Sequence, residues 1–454
     1  MKRLILAAAA LLCALSLAHA QESDIVAQSD GYEWPTDPQV LEKLEEWQDL
    51  KFGALIHWGL YAVPGIVESW SICNEDWITR PEGSKYEEYK QWYWGLSKEF
   101  NPVDFNPEQW AEVCADAGMK YSIFTTKHHD GFCMFDTRYT DFSVAKGPFA
   151  DNPRSDIAKY VFEAFRAQDF MIGAYFSKPD WHCEGFWNPY YATPNRRPNY
   201  KRDMHPEWWQ SYVDFTQNQL NEITGGRYGK IDILWLDGGW ITGDEVGLNE
   251  VLPEARKLNP GMICVDRTIQ GPNENYQTPE RMVPDHQILH PWESCLPHSN
   301  DWGWTPRARY KSARRVINTL AEITAKGGCL VLGVGPTAGG IVEEKEVVIL
   351  KEIGAWLKAN GEAIYATRPV ENYHQDRLWF TRSKDSSKLY AIYALPDGES
   401  LPQTISWTGN APKGKAVLLS TGKKLRTVTK DGVTTVTLPK GLKDDSIALR
   451  LEAR

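Results

Sequence analysis

Apolar residues along this chain keep two rhythms that alternate between about residues 45 and 365. Short, nearly continuous apolar runs fall at 52–58, 121–126, 171–176, 231–236, 262–265, 287–289 and 329–334. They read as strands, and the almost wholly apolar run at 231–236 reads as one buried on both faces. Between them lie helical patterns. Ile157, Tyr160, Val161, Ala164 and Phe165 repeat at i, i+3, i+4, i+7, i+8, one apolar stripe of a helix. Asn106-Pro107 supplies a capping side chain and a proline at the first helical position, and that helix stops at Gly118. Val316, Ile317, Leu320 and Ile323 mark a helix closed by Gly327-Gly328, and Ile349, Ile353, Trp356 and Leu357 one closed by Asn360-Gly361.

Strand–helix alternation over this length predicts a parallel sheet with crossover helices, and seven or eight units favour a (β/α)8 barrel over an open sheet. Past Thr367 the pattern changes to short strands at 378–381, 389–393, 416–419 and 433–438, joined by Asp-Gly and Thr-Gly turns. The expected architecture is an α/β chain: a (β/α)8-type TIM barrel over 21–366 and an antiparallel β-sandwich over 367–454.

The first twenty residues change the picture of where the protein works. Met1-Lys2-Arg3, an apolar run at 4–17 and the small-x-small sequence Ala18-His19-Ala20 form a secretory signal peptide. The run is short for a membrane span, and no later stretch is long and apolar enough to be one. The expected location is therefore secreted or periplasmic, with cleavage near Ala20. The formal charge is −10, and loss of Lys2 and Arg3 makes the mature chain −12, a poor match for nucleic acid. Of eight cysteines, Cys13 leaves with the leader; the remaining odd number, without close pairs, is neither a disulfide framework nor a CxxC metal site. Twenty tryptophans in a chain of mean hydropathy −0.47 should leave many rings partly exposed, weak evidence for stacking on sugars.

Catalytic groups in such a barrel project from the C-terminal ends of strands. Six expected strands end in reactive residues: His57-Trp58, Lys127-His128-His129-Asp130, Tyr175-Phe176-Ser177, Trp235-Leu236-Asp237-Gly238-Gly239, Asp266-Arg267 and, last, Trp292-Glu293-Ser294. One histidine or one Asp-Gly at a strand end is ordinarily a turn residue, and Asp130-Gly131 reads as a turn. Recurrence at the same end of successive strands is what argues for a site. Asp237 is the sharpest case, a carboxylate at the mouth followed by two glycines that keep the loop low.

Three other classes fit less well. A metallohydrolase lacks HExxH, Pro284 and Pro291 bracket His286 and His290, and adjacent His128 and His129 on a strand would face opposite sides. The glycine-rich 333–340 misses the GxGxxG spacing, and Pro336 removes an amide donor that a phosphate needs. A sugar-binding protein without catalysis is disfavoured only by the two carboxylates. No metal and no cofactor is expected.

The segments 52–59, 120–132, 233–239 and 334–337, above all His128-His129-Asp130-Gly131-Phe132 with Trp235-Leu236-Asp237-Gly238-Gly239, resemble the α-L-fucosidases of glycoside hydrolase family 29. The resemblance implies a retaining, exo-acting hydrolase of terminal α-L-fucosyl residues on an oligosaccharide or glycoconjugate, with α-L-galactosides as the neighbouring substrate. It implies Asp237 as nucleophile and Glu293, in a Trp-Glu motif, as acid/base. His57, His128, His129, Tyr175, Trp235 and Arg267 would hold the sugar. Glu68 and Trp70 match the family's Glu-Trp pair with a serine between them, and Glu75 or Trp77 compete for that place. An aromatic wall, Trp302 or Trp304, would favour the C5 methyl by ~1–3 kcal/mol.

Overall fold

The computed structural model describes residues 31–193 and 195–453. The expected leader lies outside the described residues. Seven parallel strands form one curled sheet: β1 (Phe52–Ile56), β2 (Tyr121–Lys127), β3 (Met171–Ser177), β4 (Ile233–Asp237), β5 (Ile263–Asp266), β6 (Glu293–Pro297) and β7 (Cys329–Val334), in spatial order β5-β4-β3-β2-β1-β7-β6. Strands β1, β2 and β3 are buried at every position, because helices cover one face and the barrel interior the other.

The gap between β5 and β6 is closed by an irregular stave. Glu274 bridges antiparallel to Val265, while Gln277 and Glu280 bridge parallel to Trp292 and Cys295. The expected strand at 287–289 does not form. Gln287 Nε2 instead donates to the carbonyls of Ala325 (3.1 Å) and Val370 (3.0 Å), and Leu289 is exposed. Two apolar residues, Ile288 and Leu289, between Pro284 and Pro291 are too few to hold a ladder position. Consequently β6 begins at Glu293, where the sequence pattern had a strand ending.

The covering helices are α1 (Pro38–Leu50), α2 (Tyr86–Gly95), α3 (Pro107–Asp116), α4 (Ile157–Ala167), α5 (Pro206–Thr224), α6 (Leu248–Leu258), α7 (Ala313–Ala325) and α8 (Glu344–Asn360). The Asn106 side chain accepts from Gln109 N (3.1 Å) with Pro107 at the first position of α3, as its sequence requires. The foot of the barrel is plugged by Trp47 of α1, whose ring stacks on Tyr276 at 4.1 Å.

From Thr367 the chain is antiparallel. β8 (Thr367–Gln375), β9 (Leu378–Ser383), β10 (Lys388–Tyr393), β12 (Val417–Leu418), β13 (Lys423–Lys424) and β16 (Ile447–Glu452) make a six-stranded sheet; β11 (Thr404–Thr408), β14 (Arg426–Lys430) and β15 (Val433–Thr437) make a three-stranded one. Phe380, Ile405, Trp407, Val436 and Leu449 pack together as their core. Trp356 of α8 ties them to the barrel through Nε1 to the Ser446 carbonyl (2.7 Å). The fold is thus a TIM-type barrel with a C-terminal β-sandwich.

One bulk expectation changes, that for tryptophan. Only Trp34, Trp77 and Trp92 are exposed tryptophans among the described residues, and twelve are buried, because many indoles build the inner walls of one pocket and the core. The seven cysteines after the leader are all free thiols, six of them buried.

Candidate active site

At the C-terminal end of the strands lies one pocket, with about 540 Å³ of empty space including its mouth. His57, Glu68, Trp70, His128, His129, Tyr175, Trp235, Asp237, Arg267 and Trp302 all line it, and so do Gly239, Trp240, Thr268 and Glu280. Sequence reasoning missed this last carboxylate.

Asp237 is the final residue of β4, paired across to Ser177 at the end of β3. Its Oδ2 accepts from the Tyr175 hydroxyl (2.6 Å), and its Oδ1 accepts from the Arg267 guanidinium (2.8 Å) and the Gly238 amide (2.7 Å). Burial alone would raise its pKa. The Arg267 charge, with the Tyr175 hydrogen bond, outweighs burial and holds the carboxyl well below the usual range. Gly238 has φ 88°, and a Cβ there would lie 2.2 Å from the Pro179 ring, so this turn admits only glycine.

The three histidines are buried and neutral. Both ring nitrogens of His57 are buried without a hydrogen-bond partner. Burial, then His128, lowers its pKa well below 6.5. His128 Nδ1 bonds Ser69 Oγ, and burial followed by His129 lowers its pKa likewise. His129 Nδ1 lies 2.7 Å from Ser177 Oγ, whose own proton goes to the Pro179 carbonyl (2.6 Å). Ser177 must therefore accept from His129 Nδ1–H, which leaves Nε2 as an acceptor facing the pocket. Burial pushes His129 down to about 4. The two adjacent histidines do not face opposite sides as a strand would dictate. β2 ends at Lys127, and the turn that follows turns both inward.

Of the competing Glu-Trp pairs, Glu68 and Trp70 reach the pocket. Glu68 Oε1 accepts from the Trp302 amide (3.3 Å), and burial pushes its carboxyl up to about 7 against the opposing pull of Arg281. Glu75 is instead held by Arg196, and Trp77 stands outside. Trp302 lines the pocket; Trp304 is not in the lining.

Glu293 is a correction. It opens β6 at the N-terminal end of the sheet, paired with Cys329 at the start of β7, and it is fully buried beneath the pocket rather than lining it. Its Oε2 accepts from the Tyr121 hydroxyl (2.6 Å), with Trp235 and Tyr276 beside it, and burial pushes it up to about 8. A carboxyl below the floor has no path to a leaving oxygen at the mouth. The pocket carboxylate is Glu280, at the C-terminal end of the irregular stave. It bonds the second terminal nitrogen of Arg267 through Oε2 and accepts from Trp302 Nε1 (3.1 Å) through Oε1. Its segment, Tyr276-Gln277-Thr278-Pro279-Glu280, is polar and carries a proline, so it has no strand signature. The one sequence signal was a glutamate in the link between the fifth and sixth strands.

His128, His129 and Asp237 each offer a ligand atom within 4.8 Å of the others, a set that could hold a metal ion. Asp237 already accepts from Arg267, Tyr175 and Gly238, and the guanidinium fills the place of a cation beside it. The donor set suits neutral hydroxyls better.

A barrel whose mouth holds paired carboxylates among histidines, tyrosine and tryptophan is that of a glycoside hydrolase. The sequence profile of the α-L-fucosidase family matches residues 19–362, and the chain belongs to that family. The human plasma α-L-fucosidase is 28% identical over 371 residues, 77% of this chain and 76% of its own. Among solved structures, α-L-fucosidase isoenzyme 1 from Paenibacillus thiaminolyticus superposes with a TM-score of 0.77 at 28% identity, covering 92% of this chain and 100% of its own. A family 29 α-L-fucosidase from Bacteroides thetaiotaomicron, trapped as a covalent intermediate with 2-fluoro-fucosyl fluoride in a glutamate-to-glutamine variant, gives 0.74 at 26% identity, covering 94% and 98%.

Proposed function

We propose that this chain removes terminal α-L-fucosyl residues from glycans with retention of configuration, Asp237 acting as nucleophile and Glu280 as acid/base. The observation that carries the reading is that these two carboxylates share one guanidinium inside a pocket of one-sugar character. Retaining glycosidases set their carboxyl groups about 5–5.5 Å apart. Glu68 is on the Trp302 backbone and shares no hydrogen-bond partner with Asp237, so it serves as a contact to the sugar.

In the first step Asp237 attacks the anomeric carbon while Glu280 gives its proton to the departing oxygen. In the second, Glu280 takes a proton from water, which attacks the same carbon from the opposite face and expels Asp237. His57, His128 and His129, uncharged, exchange hydrogen bonds with the hydroxyls, Arg267 keeps the nucleophile ionised, and Trp302 presents an apolar face to the C5 methyl. The barrel at 21–366 carries this chemistry, with 367–454 as a packed support. Export is supported by the amino-terminal pattern and by the plasma relative; recovered mature protein should begin at Gln21 by mass spectrometry.

Azide tests the roles, because it attacks without a general base. In Asp237→Gly it should enter the vacated side and yield the inverted β-fucosyl azide. In Glu280→Ala, with an aryl fucoside, it should attack the covalent intermediate and yield the retained α-azide. One product from both variants, or rescue in Glu293→Ala rather than Glu280→Ala, would overturn the assignment.

A further inference from the structure

Trp77 is exposed in a protein that buries twelve of its tryptophans, and its ring is fixed in place. It is 49% exposed, with its centroid 5.2 Å from that of Trp70, which lines the pocket. Its Nε1 donates to Glu75 Oε2 (3.2 Å). Glu75 is itself buried and gripped by Arg196 through two bonds of 2.6 Å, with the Arg196 amide adding a third at 3.1 Å. The Arg196 guanidinium lies 5.3 Å from the Trp70 ring centroid and 5.4 Å from that of Trp240, both pocket walls. The Arg196 carbonyl accepts from the indoles of Trp181 (3.2 Å) and Trp240 (3.1 Å). One brace thus holds a continuous aromatic surface that begins inside the pocket and ends in solvent at Trp77.

The pocket, about 540 Å³ including its mouth, is of a size for a single sugar. The sugar that carries the fucose must lie outside, along the mouth. A pyranose offers an apolar C–H face there, and an exposed indole in a fixed orientation binds such a face without losing much side-chain entropy. An indole left half in water gives up part of the burial energy that the other twelve gain. Its hydrogen bond to a buried carboxylate sets the ring's direction, which packing of a surface residue alone would not do.

We propose that Trp77 is the stacking platform for the leaving-group sugar, a specificity-determining residue held in position by Glu75 and Arg196. The proposal rests on the fucosidase reading above. Its test compares Trp77→Ala, Trp77→Phe and, as a control, Trp92→Ala, another exposed tryptophan, on α-L-fucosyl fluoride and on those fucosylated disaccharides that the wild type cleaves. Fluoride has no sugar to stack. Trp77→Ala should lower kcat/KM on the disaccharides by about 3- to 10-fold, chiefly through KM, and leave the fluoride within about twofold. Trp77→Phe should restore most of the loss, and Trp92→Ala should match the wild type on both. An equal fall on both substrates would show that Trp77 merely supports the pocket, and no fall on disaccharides would show that it binds nothing; either overturns the proposal. A wild type inert towards fucosyl fluoride would instead defeat the fucosidase reading itself.

Discussion

Asp237 and Glu280 hang on the two terminal nitrogens of one guanidinium, that of Arg267. The chain brings them together from different places, the end of β4 and the end of an irregular stave. A planar fork with two parallel donors can hold two carboxylates at a fixed spacing; an ammonium cannot.

Arg267→Gln removes that fork and its charge. The Asp237 pKa should rise, because Arg267 is the largest influence opposing burial. The acid limb of kcat/KM should move to higher pH, and kcat should fall by on the order of 100-fold. An unmoved acid limb would show that Arg267 does not set the nucleophile's ionisation.

Glu68 lines the pocket and is pushed by burial up to about 7. Below that pH it is protonated and can donate to a sugar hydroxyl; above it the donor is gone. The wild-type kcat/KM should therefore decline through neutrality. Glu68→Gln, which donates at every pH, should lack that inflection while keeping part of the activity. The two pH profiles, overlaid, decide the matter.

Glu293 titrates near 4.5 when free and at about 8 in its buried site. The native state therefore holds a proton that the unfolded chain releases between those values. This stabilisation is complete below the lower value and is lost as pH rises to the upper one, by at most about 1.4 kcal/mol per pH unit. Glu293→Gln has no proton to lose. Its Tm relative to the wild type should climb from about pH 5 to about pH 8, with turnover at neutral pH nearly unchanged. A hundredfold loss of turnover would return Glu293 to the catalytic machinery.

In the proposed mechanism the histidine cluster binds hydroxyls in the neutral form. Chelation should leave the rate unchanged, and alanine at His57, His128 or His129 should lower kcat/KM. The ring resonances of all three should stay untitrated by NMR from about pH 5 to about pH 8, since burial holds each below its ordinary value. Activity lost to a chelator and restored by zinc would make the His128–His129–Asp237 set a metal site.

How much of this was legible is clearest at the strand ends. β4 was readable because four apolar residues run straight into Asp237, and β1, β2, β3 and β7 for the same reason: strands buried on both faces advertise themselves. The stave at 274–280 was not. It pairs by isolated bridges, contains Pro279 and carries polar side chains, so neither periodicity nor composition marks it. The short run Gln287-Ile288-Leu289 imitated a strand, and this error shifted Glu293 from the foot of the barrel to its mouth.

The sequence by itself determined the alternation of strands and helices, the change of architecture near Thr367, and the placing of Asp237 and the histidines at strand ends, because local patterning carries that information. Only the tertiary structure decided which glutamate lines the pocket beside Asp237. A carboxyl's role depends on which end of a strand it occupies and what lies around it, and both were fixed by ring closure between β5 and β6. Burial then separated the two glutamates: Glu293 among Tyr121, Trp235 and Tyr276 is kept neutral beneath the floor, whereas Glu280 joins Asp237 on Arg267.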